Sequence, residues 1–502
     1  MSSDRQNLSD PIFEVAAASP ERPAVIEHER ALSFRDFAVL IGKASAYLRG
    51  IGVGPGDRIG IALTNSGDHL ILFYALARLG AAPVEIAPGT TSAQREALAE
   101  KFGIRLLFEE PDARSEPSLR TVWLDTGWRA MIAERSGDFR YDGPEEPYLV
   151  GLSSGTTGTP KGVATTHRQL LARCASVREP LAPTGAYAPE KPGHALMLAS
   201  LSFTAFRNHA IFATLSGWPL VLVPELHFPS DLIRTVRSWD DALVMATAGM
   251  CRAFKEFARG KGHLFPKARA LLSAGLPLFA HEKRAVIERV TPNFFEAYGS
   301  TASGRISVLR PEEIEAHAES VGRICDGMEV EIVDGQDRPL PAGSIGRLRC
   351  RGATVSTSFL VASDETRDEG FREGWHYPGD LASIDRSGYL RLHGRSSDLI
   401  VGKGVEFLPN EVEAVLTAHA SVLEAAVVGA PVGGGSEEAV AMVVTRGPSE
   451  HAAIAAHLAR HLPPDKRPQQ ILYADTLPRT PNGKIDRAAV RRLAERHLNS
   501  VR

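Results

Sequence analysis

The sequence has few of the features expected of a secreted, metal-binding or nucleic-acid-binding protein. Its 502 residues include only four cysteines, Cys174, Cys251, Cys325 and Cys350, which are widely scattered and form no C-x-x-C pair. This spacing argues against a zinc site or a disulfide scaffold and favours a reducing compartment. The formal net charge is only −3, so we expect neither nucleic acid nor a membrane surface as a partner.

Long apolar runs are also missing. The longest, near residues 210–224, is interrupted by Ser216, Gly217 and Pro219 and is too short to span a bilayer. Residues 1–20 lack an apolar core behind a basic start, so we expect no secretory signal. These absences predict a cytoplasmic protein, and the length predicts two or more domains with a large core.

The most informative segment is residues 152–163, Leu-Ser-Ser-Gly-Thr-Thr-Gly-Thr-Pro-Lys-Gly-Val. Gly155 and Gly158 allow sharp bends that bring backbone N–H groups close to an anion. Lys161 adds a positive charge suited to phosphate. Hydroxyl donors come from Ser153, Ser154, Thr156, Thr157 and Thr159. The segment therefore predicts a loop that holds a triphosphate.

Three other interpretations compete with a phosphate loop. The Walker pattern fails because Pro160 precedes the lysine and Gly162 follows it. The G-x-S-x-G pattern is met by Gly151, Ser153 and Gly155, which would make Ser153 the nucleophile of a serine hydrolase. That motif must run directly into a helix, which the proline and the two glycines disfavour. A plain polar surface loop is the remaining alternative.

Four further segments resemble, together with this loop, the motifs of one enzyme family. In chain order they are Tyr298-Gly299-Ser300-Thr301, Gly374-Trp375-His376-Tyr377-Pro378-Gly379-Asp380, Gly394-Arg395-Ser396-Ser397-Asp398 and Pro478-Arg479-Thr480-Pro481-Asn482-Gly483-Lys484. The family is the adenylate-forming superfamily, which comprises acyl- and aryl-CoA ligases, stand-alone adenylation domains and beetle luciferases. The order and separation of the motifs fit over about residues 30–490. Several motifs in register are far more specific than any one alone.

The apolar patterning predicts an α/β fold. A strand pattern at 57–63, a helical pattern at 68–79 and a strand pattern at 83–86 predict a strand–helix–strand unit, which is typical of a parallel sheet. Similar alternation recurs further along, and strands dominate between residues 321 and 392. Beyond residue 395 helices and strands alternate again, with a helical pattern at 451–461.

The resemblance divides the chain into three parts. Residues 1–394 would form a large N-terminal domain with parallel α/β layers and a small β-rich subdomain, which holds the ATP and acyl sites. Residues 395–398 would be the hinge. Residues 399–502 would form a small, mobile α+β domain.

The resemblance also implies a reaction in two steps. The carboxylate of an acid attacks the α-phosphorus of ATP and releases pyrophosphate, and a thiol then attacks the acyl-adenylate and releases AMP. Because two anions must approach each other, the first step needs positive charge and oriented donors more than an acid–base pair. The implied catalytic residues are Lys484, which bridges carboxylate and phosphate oxygens, and Thr301. The alternative for Lys484 is an ordinary solvated lysine without a catalytic role. The alternative for Arg395 is an ordinary surface arginine.

The ATP-binding set implied by the resemblance is larger, and in it Asp380 holds the ribose hydroxyls. It consists of Ser153, Ser154, Gly155, Thr156, Thr157, Gly158, Thr159, Lys161, Tyr298, Gly299, Ser300, Thr301, Asp380, Arg395 and Lys484.

Two positions depart from the family pattern. Ala302 stands where the family has a magnesium-binding Glu, so we expect magnesium dependence with weaker affinity, since phosphate oxygens can still hold the ion. Ser397 stands at the hinge, where Asp or Lys is usual. Gly404 aligns with the glycine of the thiol tunnel, which admits pantetheine. A non-catalytic nucleotide-binding homologue is the alternative that the change at residue 302 leaves open.

The identity of the acid is less constrained. Amino-acid-activating relatives carry an Asp near residues 203–206, and this chain has none there, so an α-amino acid is not expected. The implied acyl pocket is lined by Phe203, Phe206, Arg207, Asn208, Gly275 and Leu276. Its size fits a small aryl or short acyl acid. Arg207 and Asn208 are placed to meet a polar substituent, with a surface role as the alternative for Arg207. The thiol belongs either to coenzyme A or to the phosphopantetheine of an acyl or peptidyl carrier protein.

Overall fold

The computed structural model of the chain forms two compact units. The first comprises residues 1–330 and 350–378, and the second comprises 331–349 and 379–502. The residues that the structure describes are 7–28, 30–111, 120–143, 147–153, 161–188, 190–223, 228–258, 260, 262–360, 370–402, 405–433, 436–447, 451–480 and 484–501. The sequence predicts a hinge at residues 395–398, about which the C-terminal domain would rotate. That hinge stays a prediction.

The first unit combines helices with two large sheets. Its helices are α1 (Asp10–Ala18), α2 (Phe34–Gly50), α3 (Gly67–Leu79), α4 (Ser92–Phe102), α5 (Thr126–Ala133), α6 (His167–Leu181), α7 (Thr204–Leu215), α8 (Pro229–Arg237), α9 (Ala248–Phe257), α10 (Ala280–Arg289) and α11 (Ile314–His317). Its strands are β1 (Pro23–Glu27), β2 (Arg30–Ser33), β3 (Arg58–Ala62), β4 (Ala82–Glu85), β5 (Ile104–Glu109), β6 (Thr121–Trp123), β7 (Pro147–Ser153), β8 (Lys161–Thr166), β9 (His194–Met197), β10 (Leu220–Leu222), β11 (Ala242–Ala246), β12 (Ala270–Ala274), β13 (Phe294–Ser300), β14 (Gly304–Leu309) and β15 (Arg323–Ile324).

Two strands contain the points where the chain passes from one unit to the other. They are β16 (Met328–Val333) and β17 (Gly346–Gly352). The first unit ends with the short strands β18 (Phe359–Leu360), β19 (Phe371–Arg372) and β20 (Trp375–His376).

The two sheets of the first unit are largely parallel. One has nine strands in the order β15-β14-β13-β12-β11-β9-β10-β1-β2, with antiparallel pairing at both edges. The other has seven strands in the order β18-β8-β7-β4-β3-β5-β6, and its parallel part runs from β7 to β6. This is the mixed α/β architecture that the sequence predicts.

The strand–helix–strand unit predicted near the start of the chain forms as β3, α3 and β4. Helix α3 begins where the Ser66 side chain accepts a hydrogen bond from the backbone of His69, and it ends at Gly80, which has the left-handed conformation at φ 68°. Its side chains are buried nearly all round, and β4 is fully buried. A parallel sheet covered on both faces requires such apolar elements.

The second unit is smaller. After β17 it contains β21 (Asp380–Ile384), β22 (Leu390–Arg395), β23 (Ile400–Gly402), β24 (Val405–Phe407), α12 (Pro409–Ala418), β25 (Val422–Gly433), β26 (Ser436–Thr445), α13 (His451–His461), β27 (Gln470–Tyr473) and α14 (Arg487–Val501). Strands β25, β26 and β27 form a three-stranded sheet with a core on both faces. Helix α13 has the predicted bounds. In the described part of the chain, no helix is long and apolar enough to cross a membrane.

Candidate active site

The predicted phosphate loop joins two antiparallel strands of the first unit. Strand β7 ends at Ser153, β8 begins at Lys161, and these two residues lie opposite each other. Lys161 is half-buried, and its Nζ lies 5.4 Å from the centroid of the Phe359 ring. The side chain of Ser153 lies outside the described residues, as do the predicted ligands Ser154, Gly155, Thr156, Thr157, Gly158 and Thr159.

The pairing of these strands does not support the serine-hydrolase alternative. A nucleophile elbow places its serine between a strand and a helix. After Ser153, however, the chain returns as a second strand that pairs with the first. The two segments on either side of residues 154–160 are therefore paired strands, with Ser153 at the end of one and Lys161 at the start of the other.

The predicted α-phosphate segment lies where β13 turns back into β14. The strands are irregular after Tyr298, and Ser300 lies opposite Gly304. A Cβ on Gly299 would lie 2.0 Å from the carbonyl oxygen of Gly304, so this position requires glycine. Thr301 follows in the turn and is half-buried.

Side chains on both sides of this turn hold it in place. The backbone N–H of Ser300 donates to Ser303 Oγ at 2.9 Å, and the N–H of Ser303 donates to Ser300 Oγ at 3.0 Å. His376 Nε2 lies 3.3 Å from Ser300 Oγ, and its Nδ1 lies 2.9 Å from the carbonyl oxygen of Gly370. These reciprocal bonds fix the backbone from which Thr301 projects.

Thr301 packs against the strand that leads into the phosphate loop. A Cβ placed on Gly151 of β7 would lie 2.9 Å from Thr301 Cγ2. Gly151 stands two residues before Ser153, so Thr301 lies at the base of the loop. Thr204 Oγ1, at the start of α7, lies 3.4 Å from Thr301 Oγ1. The first unit therefore brings together two motifs that are far apart in the sequence.

The predicted acyl-pocket residues lie at the start of α7 and after β12. Gly275 has φ +98°, and a Cβ there would lie 3.0 Å from Phe203 Cζ. The rings of Phe203 and Phe206 have centroids 5.6 Å apart, and Phe206 is fully buried. Leu276 is half-buried. Asn208 is also half-buried, and its buried Oδ1 has no hydrogen-bond partner among the described residues.

Arg207 is buried, so the surface alternative for this residue is wrong. Its side chain is among the largest that are fully buried in the described chain. Its Nη1 donates to the carbonyl oxygens of Leu201 and Ser202 at 3.0 and 3.2 Å, and its Nη2 donates to Thr204 Oγ1 at 3.3 Å. Burial lowers the pKa of Arg207, and the nearby carboxylate of Glu85 acts in the opposite direction.

Three of the predicted ATP ligands lie within the second unit. Asp380 and Arg395 face each other at the end of the β21–β22 pair, and Arg395 Nε lies 2.9 Å from Asp380 Oδ1. Lys484 is half-buried. Its pKa is lowered by burial and by the positive charge of Arg395, while Asp380 acts to raise it. The unit therefore gathers two cations and one carboxylate into a single charged cluster.

The predicted hinge forms a short turn of 3₁₀-helix in the second unit. Ser396 donates from its N–H and its Oγ to the carbonyl oxygen of Gly379, at 3.0 and 3.1 Å. Ser397 is exposed, and its Oγ donates to Asp398 Oδ1 at 3.2 Å. Gly404, the predicted tunnel residue, lies outside the described residues.

Ala302 cannot supply a magnesium ligand from its side chain, which is a methyl group, and the residue is 3% exposed. Its carbonyl oxygen already accepts from Arg173 Nη2 at 2.9 Å and from the N–H of Ser356 at 2.8 Å. Within the described residues no group of three or more His, Cys, Asp or Glu side chains could hold a metal. The described protein atoms therefore do not fit a magnesium ion held mainly by side chains.

Sequence inspection missed three residues that organise this site. Thr204 lies between the predicted pocket residues Phe203 and Phe206, and nothing local in the sequence connects it with Thr301. Ser303 follows a recognised motif by two residues, so its turn-stabilising role was detectable from that spacing. Arg173 comes from α6, and no signal in the sequence indicates its contact with residue 302.

Comparison with known proteins adds independent findings. The profile of the AMP-binding enzyme family matches residues 12–360, and the profile of the AMP-binding enzyme C-terminal domain matches residues 411–484. The chain is 25% identical to the long-chain-fatty-acid–CoA ligase of Salmonella typhimurium, over 97% of this chain and 95% of that protein. It is 27% identical to the feruloyl-CoA synthase of an Amycolatopsis species, over 95% of this chain and 97% of that protein. A solved structure of the anthranilate CoA ligase AuaEII with anthranoyl-AMP has a TM-score of 0.87 and 23% identity, and the match covers 99% of this chain and 98% of that one.

Proposed function

The chain belongs to the family of AMP-binding enzymes, and we propose that it activates a small aryl or short acyl acid with ATP and then transfers the acyl group to coenzyme A. The resemblance to the adenylate-forming superfamily is confirmed, and the chain is an acid–thiol ligase.

One observation carries the proposal. Thr301 packs on Gly151 at the base of the β7–β8 loop, whose ends are Ser153 and Lys161. A triphosphate held by this loop would have its α-phosphate beside the Thr301 hydroxyl. That arrangement suits attack on the α-phosphorus, where a donor must stabilise developing negative charge.

The chemistry proceeds in two balanced steps. A carboxylate oxygen of the acid attacks the α-phosphorus of ATP, the bond to the bridging oxygen breaks, and pyrophosphate leaves. The sulfur of the thiol then attacks the acyl carbon and loses its proton, and AMP leaves with the electron pair of the C–O bond. The protein supplies charge and orientation in the first step and access for the thiol in the second.

We assign the cluster of the second unit to the nucleotide and the acid. Asp380 would accept hydrogen bonds from the ribose hydroxyls, and Arg395, which is paired with it, would contact the nucleotide. Lys484 would bridge the carboxylate of the acid and an α-phosphate oxygen. Its partial burial strengthens its electrostatic effect, because charges interact more strongly where water is excluded.

Magnesium enters the proposal only as an ion carried by ATP. Because Ala302 has no side-chain oxygen, phosphate oxygens and water would have to provide the ligands of the ion. Bound in that way, magnesium would neutralise part of the phosphate charge. We expect magnesium dependence with weaker affinity than in an enzyme that has a carboxylate at this position.

The acyl pocket favours a compact acid with a hydrogen-bond donor. Phe203 and Gly275 are in close contact, which limits the length of the acid. Asn208, whose buried Oδ1 has no hydrogen-bond partner among the described residues, would accept from an N–H or O–H group of the acid if it lines the pocket as predicted. A feruloyl-CoA synthase and an anthranilate CoA ligase among the similar proteins act on acids with such groups, which supports an aryl acid that carries a hydroxyl or amino substituent.

Coenzyme A is the preferred thiol because the similar proteins are CoA ligases or synthases. A carrier-protein phosphopantetheine would present the same reactive arm. Gly404 would line the tunnel for this arm, and rotation about residues 395–398 would admit it after the adenylate has formed.

The test is carboxylate-dependent exchange of pyrophosphate into ATP, measured with magnesium over a panel of acids. The panel pairs benzoate with 2-aminobenzoate and with 4-hydroxybenzoate, and it includes acetate, decanoate and an α-amino acid. We expect exchange with the substituted aryl acids and little with decanoate or the amino acid. ATP binding without exchange for any acid would favour the non-catalytic alternative and overturn the proposal.

A further inference from the structure

A short chain of hydrogen bonds leads from a buried guanidinium to the hydroxyl of Thr301. Arg207 Nη2 donates to Thr204 Oγ1 at 3.3 Å, and Thr204 Oγ1 lies 3.4 Å from Thr301 Oγ1. All three residues belong to the first unit. This series of hydrogen bonds ends at Thr301, the residue that the proposed function places beside the α-phosphate.

The hydrogen bond between Arg207 and Thr204 has a fixed direction. A guanidinium has donors and no acceptor, so Thr204 Oγ1 must accept from Arg207. An oxygen that accepts from a cation becomes a better donor, because successive hydrogen bonds polarise one another. Either hydroxyl can be the donor in the Thr204–Thr301 contact, and polarisation by Arg207 favours Thr204. With Thr204 as the donor, the proton of Thr301 is available for another acceptor.

The surroundings of Arg207 hold it in place for this role. Its Nη1 is fixed by the carbonyl oxygens of Leu201 and Ser202. Glu85, which is 2% exposed and lies 3.2 Å from His69 Nε2, lines the same small cavity as Arg207. A buried arginine needs such a negative neighbour, because an uncompensated charge is costly away from water. The guanidinium is thus charged, anchored and directed at Thr204.

We propose that Arg207 is a positioning residue for adenylate formation, which orders the Thr204 and Thr301 hydroxyls so that Thr301 donates its proton to the α-phosphate. This inference rests on the proposed function for the role of Thr301. It gives Arg207, which the sequence predicts as an acyl-pocket residue, a role toward the nucleotide as well.

Two variants of Thr204 provide the main test. Thr204→Val removes the hydroxyl with little change of shape, and Thr204→Ser retains it. For Thr204→Val we expect kcat of pyrophosphate exchange to fall about tenfold, less than the 10²–10³ expected for loss of a direct donor. In the same variant the KM for the acid should not change, and AMP affinity measured by calorimetry should weaken about fivefold. Thr204→Ser should restore kcat and AMP affinity to within about twofold of the wild-type values.

A double-variant cycle with Arg207→Lys tests the connection between the residues. Lysine keeps the charge but lacks the planar fork that lets Arg207 reach the carbonyl oxygens of residues 201 and 202 and the Thr204 hydroxyl together. If Arg207 acts through Thr204, the effects of Arg207→Lys and Thr204→Val should not multiply. The matched control is Thr214→Val, since Thr214 is a buried hydroxyl residue of the same helix that bonds to Tyr74 at 2.6 Å. This control should lower stability and leave exchange unchanged.

The outcomes separate this inference from the proposed function. Unchanged kcat and AMP affinity in Thr204→Val, or effects that multiply in the double variant, would overturn the inference. If the wild-type protein binds AMP but exchanges pyrophosphate with no acid, the proposed function fails. The AMP affinities of the variants still decide the role of Arg207 in that case.

Discussion

Replacement of Lys484 by alanine should separate the two half-reactions. A single donor aimed at developing charge contributes about 10²–10³ in rate, or about 2.7–4 kcal/mol. Two features of the structure adjust this range. The partial burial of Lys484 strengthens its interaction with the anions, while Arg395 remains beside the gap and supplies some positive charge. We therefore expect a loss of about 10³ in adenylate formation.

The assay measures each half-reaction separately. Pyrophosphate exchange reports the first, and thioester formation from a chemically prepared acyl-adenylate reports the second. The matched control is Lys466→Ala, because Lys466 belongs to the same unit and pairs with exposed Glu411 at 2.6 Å. Such surface pairs contribute little, so this control should retain full exchange. Equal loss of both half-reactions in Lys484→Ala, or a comparable loss in the control, would refute the assignment.

Two further predictions follow from the charges within each unit. In its proposed role Lys484 must be protonated. Because burial and Arg395 lower its pKa, the exchange rate should start to fall at a lower pH than an ordinary lysine would give. In rate–pH profiles Arg395→Gln should move this fall to higher pH and Asp380→Asn to lower pH; shifts in the same direction would contradict the electrostatic explanation. Lys283 and Glu296 are each 2% exposed and pair at 2.5 Å, so Lys283→Met should cost about 3–5 kcal/mol by leaving a buried carboxylate unpaired. In urea unfolding, a second change, Glu296→Leu, should recover part of that loss, and strictly additive costs would argue against a coupled pair.

Much of the fold could be predicted because local patterns and tertiary burial agree. The apolar side chains of α3 and the short apolar runs on either side of it specify a buried helix between parallel strands. Helix α13 was predicted at its observed bounds. The division into compact units was not apparent, because it depends on residues 346–347 pairing with 381–382, a contact between segments with no local signal.

The site was only partly predictable for the same reason. Motifs indicated Thr301 and the phosphate loop separately, but their contact through Gly151 depends on how two different sheets of the first unit pack. From the sequence, Arg207 could have either a pocket role or a surface role, because an arginine at a helix start is usually exposed. Its burial depends on acceptors at residues 201 and 202 and on a carboxylate from β4, which no helical periodicity reveals.

The lowered pKa of Lys484 also bears on how the two half-reactions could be distinguished. Arg395 lies at the start of the predicted hinge and Asp380 before it, whereas Lys484 follows it in the chain. Rotation about residues 395–398 would therefore move Lys484 away from both charges and from the groups that bury it. Its pKa would then return toward that of an ordinary lysine. If the hinge acts as predicted, we expect the alkaline fall in rate for adenylate formation alone, and thioester formation from a supplied adenylate should not show it.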